Sequence, residues 1–309
     1  MNRIRADLKI DMVHKRGLTG KNIGIAVLDT GICSHVDFCK PYNRIIEFID
    51  CVNGYDRPYD DNGHGSHVCG IIGGNGYAKN GLYAGVCPRC NIVAIKVLDK
   101  NGMGTVDNVI KAIKWIIEYK DLYNIRIVNL SVGTYGLRKK DVTELIKWVE
   151  MAWDSGLIVL TAAGNKGPKP MSITAPGISK KIITVGTSEG YVNFSTGKYR
   201  IKHYSGCGPT RECIVKPEVV APGVNIISCS PTRGMYVSKS GTSMATPIVA
   251  GCIGLVLESC ERGRRLTNKD IKIALLECSK DLGRDKNSQG WGKIDLIKVI
   301  EFFGRFSMT

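Results

Sequence analysis

The chain has 309 residues, 43% of them hydrophobic and 23% charged, the make-up of a soluble globule large enough for a sizeable core. Lys and Arg outnumber Asp and Glu by 43 to 28, a net charge of +15. That raises nucleic acid, anionic lipid or acidic substrates as partners, but the basic residues are scattered and the densest runs, at 262–265 and 139–140, have no interleaved aromatics. They read as solvated faces, so nucleic acid is not expected as a partner.

In chain order, Leu8, Ile10, Met12 and Val13 followed by Gly17 predict one short helix ended by glycine. The stretch before them is basic but has no apolar region behind it, so no secretory signal is read and a cytoplasmic location is expected. No apolar run reaches 18 residues, so neither a membrane span nor a membrane partner is expected. Strand-like runs fall at 23–28, 45–49, 92–97, 125–130, 157–162 and 182–185. Between them, Val106, Val109, Ile110, Ile113, Ile116 and Ile117 keep the spacing of an amphipathic helix. Asp141-Val142-Thr143-Glu144 reads as a capped helix start, and Thr267-Asn268-Lys269-Asp270 as another. Strands alternating with helices imply an α/β fold with a parallel sheet covered on both faces. No repeat or linker divides it, so 1–309 reads as a single domain with a short lead-in over 1–20. Twelve cysteines make up about 4% of the chain, below the disulfide-rich range. Cys87-Pro88-Arg89-Cys90 has no second pair or histidine cluster and reads as two unlinked thiols. Cys207 and Cys213 share a loop and could bridge under oxidising conditions.

Three stretches carry chemistry. The buried-strand run at 23–28 ends in Asp29-Thr30-Gly31. His64-Gly65-Ser66-His67 follows the turn-rich Asp60-Asp61-Asn62-Gly63. Gly241-Thr242-Ser243-Met244-Ala245-Thr246-Pro247 delivers Ser243 to the start of an apolar helix, where N–H groups and the macrodipole favour developing negative charge. A serine there is ordinarily only a cap. With an Asp at a strand end and a His opening a helix, in the order Asp, His, Ser, it becomes a candidate nucleophile with a base. Over about residues 17–292 the chain resembles the subtilase (subtilisin-like, S8-type) serine peptidases, and looks closest to their intracellular bacterial members.

That resemblance implies a subtilisin-like three-layer sandwich with a mostly parallel central sheet and helices on both faces. It implies a serine endopeptidase acting on proteins or peptides, with Ser243 as nucleophile, His64 as general base and acid, and Asp29 orienting the imidazole. Asn165, after the strand-like 157–162, would point its amide at the oxyanion together with the Ser243 N–H. Gly102-Met103-Gly104 and Ser131-Val132-Gly133 would sandwich an extended substrate, pairing with its backbone. Ala162, Ala163, Gly164 and Lys166 would border the pocket for the residue before the cut, P1, expected to be apolar. Taken alone, the glycine-bearing segments are plain strand-end turns. His67 reads as a packing residue, and His14, His35 and His203 as ordinary surface or core histidines.

Departures from the family pattern matter too. Only 28 residues precede Asp29, so a propeptide or inhibitor is expected to be separate, removed or absent. Asp37 matches the carboxylate of a calcium site in secreted members, but the loop 73–81 is basic, glycine-rich and acid-free, a poor cation site; no cofactor is expected to be required. The competing reading is a catalytically idle subtilase serving as a binding or regulatory scaffold. An α/β-hydrolase esterase is disfavoured because no G-x-S-x-G surrounds Ser243 and the residue order is wrong.

Overall fold

The computed structural model describes residues 1–131, 138–195, 198–232, 234–260 and 265–304. In chain order its elements are α1 (Asn2–Asp7), α2 (Ile10–Lys15), β1 (Gly24–Asp29), α3 (Val36–Cys39), β2 (Ile45–Asp50), α4 (His64–Gly73), β3 (Asn91–Lys96), α5 (Val106–Tyr119), β4 (Ile125–Leu130), α6 (Lys139–Asp154), β5 (Ile158–Ala162), β6 (Ile183–Thr187), β7 (Tyr191–Ser195), β8 (Lys198–Lys202), β9 (Val219–Ala221), β10 (Ile226–Cys229), β11 (Tyr236–Lys239), α7 (Thr242–Cys260), α8 (Asn268–Cys278), α9 (Lys286–Gln289) and α10 (Leu296–Phe302).

Seven strands form one sheet in the order β2-β3-β1-β4-β5-β6-β9, and every neighbouring pair is parallel. β1 is buried at all six positions, which requires cover on both faces. Helices α4 and α7 pack together in one layer and α5 and α6 in the other, so the three-layer α/β expectation holds. α5 presents Val109, Ile113 and Ile116 to the core while Thr105 caps its start through the Asn108 N–H at 3.1 Å. α7 is apolar all round because it runs through the core. It is long and apolar enough to cross a membrane by length and composition alone, yet 83% of that window is buried inside the protein. Its small residues let neighbours close in: a Cβ at Gly251 would come within 2.5 Å of Val86 Cβ.

Several predicted boundaries move. The lead-in is two helices, not one, because Lys9 adopts a left-handed conformation at φ +54° and breaks the run. α6 starts two residues before Asp141, whose carboxylate pairs with Arg138 at 2.9 Å instead of capping the helix. Thr267 and Asp270 do form the reciprocal capping box at the start of α8. The seventh strand, β9, lies in a stretch whose sequence reads as loop. It has three residues and exists because β6 pairs with it, Val185 opposite Val219. The β7–β8 and β10–β11 hairpins were likewise not foreseen. All twelve cysteines, Cys207 and Cys213 included, are free thiols.

Candidate active site

The C-terminal ends of β1, β3, β4 and β5 lie side by side, the edge where function collects in parallel sheets. β1 ends on Asp29, only 1% exposed. A buried carboxylate keeps its charge only where donors meet it. Oδ1 accepts the Thr30 N–H at 2.8 Å and faces His64 Nδ1 at 2.7 Å, while Oδ2 has no hydrogen-bond partner among the described residues. Burial disfavours the His64 imidazolium, but the charge of Asp29 and its hydrogen bond favour it, and the net pKa lies above the ordinary histidine value. With Nδ1–H donating to the carboxylate, Nε2 is left as the basic nitrogen. A quarter of the side chain, 25%, stays exposed, so that nitrogen is within reach of solvent and substrate.

His64 is held in place by a residue that the sequence reading passed over. Asp60 is buried, and its Oδ1 accepts from Thr30 Oγ1 at 2.8 Å and the Gly63 N–H at 2.7 Å. Its Oδ2 accepts from the Ser66 N–H at 2.8 Å and Ser66 Oγ at 2.7 Å. Burial raises its pKa, but these hydrogen bonds outweigh it and hold the carboxyl below the usual range. One side chain thus joins the end of β1 to the first turn of α4. Lys96, fully buried at the end of β3, adds a second tie from Thr30 O at 2.7 Å to Asp61 at 2.6 Å. The signal was present: a lysine inside an apolar strand run needs a buried partner.

Ser243 is the second residue of α7, inside the helix and not its cap. Its Oγ donates to the Ser131 carbonyl at 2.8 Å, not to His64. Ser131, just past β4, is itself held by Asn129 Nδ2 at 2.8 Å. Asn165 follows β5, and its Oδ1 accepts from the Thr242 N–H at 3.0 Å and Thr242 Oγ1 at 3.1 Å. That sets the amide's orientation. An added Cβ at Gly241 would lie 3.5 Å from Asn165 Nδ2 and 3.7 Å from Ser243 N, so both N–H donors border the same spot.

The substrate segments are more constrained than sequence suggests. Met103 N–H donates to Asp99 Oδ1 at 2.9 Å, its carbonyl accepts the Asp99 N–H at 2.7 Å, and Gly102 N–H donates to Asp99 O at 3.0 Å, so backbone pairing there would fall to the Gly102 carbonyl and to Gly104. Ala162 and Ala163 are buried, and Gly164 N–H donates to Thr242 Oγ1 at 3.2 Å. Lys166 is exposed. Val132 and Gly133 lie outside the described residues. His67, buried in α4, has Nε2 at 2.9 Å from Ile226 O and 3.0 Å from Val237 O, and burial holds its pKa down to about 3.

Asp37 is surrounded by hydrogens. Its Oδ1 accepts the Ala78 N–H at 3.0 Å, and its Oδ2 accepts the Gly76 N–H at 3.2 Å and Tyr236 O–H at 2.8 Å. His35 Nδ1 lies 3.6 Å from Oδ1 and Cys229 Sγ 3.7 Å from Oδ2, a trio with the ligand types of a transition-metal site. The His35 nitrogen, however, already accepts the Asp37 N–H at 3.1 Å. With N–H and O–H donors facing inward, the arrangement does not fit a cation, calcium included.

Comparison with known proteins identifies the family. A model described as "Subtilase family" matches residues 20–292. The chain is 39% identical over 293 residues to serine protease AprX of Bacillus subtilis (strain 168), covering 89% of this chain and 65% of that one, so it spans about two thirds of that relative's length. It is 34% identical to an intracellular serine protease of Paenibacillus polymyxa, over 91% of this chain and 81% of the relative. A solved structure titled "S41 Psychrophilic Protease" superposes with a TM-score of 0.72 at 30% identity, covering 89% of this chain and 91% of that one.

The Asp60 cluster generates a prediction. A carboxyl with a lowered native pKa contributes stability that is present above its unfolded pKa and lost as pH falls through the native one. Asp60→Asn is expected to cost about 1–3 kcal/mol at pH 7. The gap to the native protein should narrow as pH drops below about 4. Urea unfolding at several pH values measures this, and a gap independent of pH would remove the ionised carboxylate from the account.

Proposed function

The chain belongs to the subtilase family of serine endopeptidases, and on that premise we propose that it hydrolyses peptide bonds through Asp29, His64 and Ser243. The observation that carries the proposal is the 2.7 Å His64 Nδ1–Asp29 Oδ1 contact at the sheet edge where α7 presents Ser243. Ser243 Oγ leaves the Ser131 carbonyl by rotating about χ1, gives its proton to His64 Nε2 and attacks the substrate carbonyl. Asn165 Nδ2 and the Ser243 N–H receive the oxyanion. His64 then protonates the leaving amine, and water hydrolyses the acyl-enzyme by the same route reversed. Removing the corresponding Asn donor from subtilisin costs roughly 3–4 kcal/mol, a value that belongs to that enzyme. The idle-scaffold alternative is not favoured, since each of the three residues is present.

We further propose protein or peptide substrates with Leu, Phe, Tyr or Met at P1, and a reducing, intracellular location in keeping with twelve free thiols. Asp37 is proposed to hold the loop 73–81 by hydrogen bonds in place of calcium.

Ser243→Ala should abolish turnover with the fold intact, and a fluorophosphonate should label Ser243 stoichiometrically. In the native enzyme kcat/KM should rise with pH through an apparent pKa at or above about 6.5, since the His64 pKa is raised. Near-normal activity in Ser243→Ala would show the nucleophile to be elsewhere.

Lys166 follows Asn165 and is exposed, so its charge should disfavour Lys and Arg at P1. A solvated charge of this kind is worth about 0.5–1 kcal/mol, a few-fold in rate. In a positional peptide library, Lys166→Glu should raise cleavage after Arg several-fold. A native enzyme that already cleaves best after Arg or Lys would contradict the assignment.

Neither EDTA nor dithiothreitol should lower the melting temperature appreciably. A large drop with the chelator would place a structural cation in the protein, and one with the reductant would place disulfides.

A further inference from the structure

The β10–β11 hairpin lies along the first turn of α4. His67 Nε2, one helical turn after His64, contacts the Ile226 and Val237 carbonyls of its two strands. At the hairpin's turn Pro231 packs against Gly63, where an added Cβ would come within 2.5 Å of Pro231 Cγ. β11 ends on Lys239, paired with Ile226 and only four residues before Ser243. The Gly241 N–H to Gly223 O bond, 2.8 Å, fixes the chain between them. The backbone thus brings Lys239 to the end of the strand leading into Ser243, in the hairpin that packs on the His64 helix.

Three further observations bear on what it does there. Lys239 is half-buried, so its stem is held while its head remains reachable. It has no ion pair or hydrogen-bond partner among the described residues, whereas the nearby Lys96 has both. Its charge is felt at both His64 and His67, where it opposes the imidazolium, while Asp29 and Asp60 support it at His64 and His67 remains neutral.

Chemistry then gives the direction. The leaving amine must take its proton from His64, so the segment after the scissile bond lies on the His64 side. The acyl part, with its oxyanion, lies on the Asn165 side. We infer that Lys239 is a specificity residue for the leaving segment, taking an acidic side chain at the first or second position after the cut, P1′ or P2′. The positive charge of the whole chain, +15, adds steering of acidic substrates in the same sense. The inference rests on the peptidase reading above and names the substrate class for that site.

The test uses the full chain and internally quenched peptides that differ only in carrying Glu, Gln or Lys at P1′ or P2′. A parallel pair ends at P2′ with a free α-carboxylate or an amide. Cleavage of any peptide of the series tests the peptidase reading by itself, and its absence from all of them refutes both readings. Given cleavage, native enzyme should prefer Glu over Gln over Lys by about three- to tenfold per step in kcat/KM at low salt. The steps should shrink at high salt. Lys239→Gln should level the series, Lys239→Glu should invert it, and Lys239→Arg should restore it. The kinetic pKa of Lys239→Gln should also move up, because an opposing charge near His64 has gone. Equal Glu-to-Lys ratios in native enzyme and Lys239→Gln would overturn the inference. A preference confined to the free α-carboxylate would overturn the side-chain assignment.

Discussion

A carboxylate that is 1% exposed must be met by donors, and the arrangement of this site follows from how that need is answered at Asp29. The sheet delivers the carboxylate to its C-terminal edge, and among the described residues Thr30 N–H and His64 Nδ1 are the donors that reach it. His64 therefore cannot drift without leaving a buried charge uncompensated, which is costly. The hydrogen bond that stabilises the carboxylate is also the one that raises the imidazole's pKa and leaves Nε2 turned outward. Positioning and basicity come from one contact.

That contact holds because the loop before α4 is itself fixed. Asp60 gathers Thr30, Gly63 and Ser66, and Lys96 reaches from β3 to Thr30 and Asp61. On the opposite side of α4 the β10–β11 hairpin is tied through His67. Around Asp37 the same economy recurs: Gly76, Ala78 and Tyr236 donate to a carboxylate that positions the loop after α4. Buried, hydrogen-bonded carboxylates thus anchor three neighbouring parts of the fold; Asp37 and Asp60 meet protein donors at both oxygens, Asp29 at Oδ1.

Much of this was legible in the residues. Runs of four to six mostly apolar residues are their own signal, so the six strands from β1 to β6 fell near their places. The three chemical motifs were legible because each joins a regular element to a turn. β9 was not, since three residues carry no period and the strand exists through its neighbours, β6 on one side and the segment 292–294 on the other. The α6 start misled because Asp141 has a choice of partners, and Arg138 won. Nor does sequence show which lone pairs are taken. That Met103's backbone is spent on Asp99, or that Ser243 Oγ rests on the Ser131 carbonyl, needs coordinates. Asp60 sat in plain view, but its turn-rich surroundings suggested only a loop, and its role emerges from five donors converging in space.

The central claim is that Asp29 sets the charge state of His64 against the burial that opposes it. Proton NMR of the His64 ring, followed through pH in native protein and in Asp29→Asn, measures this directly. The account predicts a native pKa above about 6.5 and a lower one in the variant, where burial and Lys239 act unopposed by that charge. A His64 titration unchanged by the substitution would contradict it.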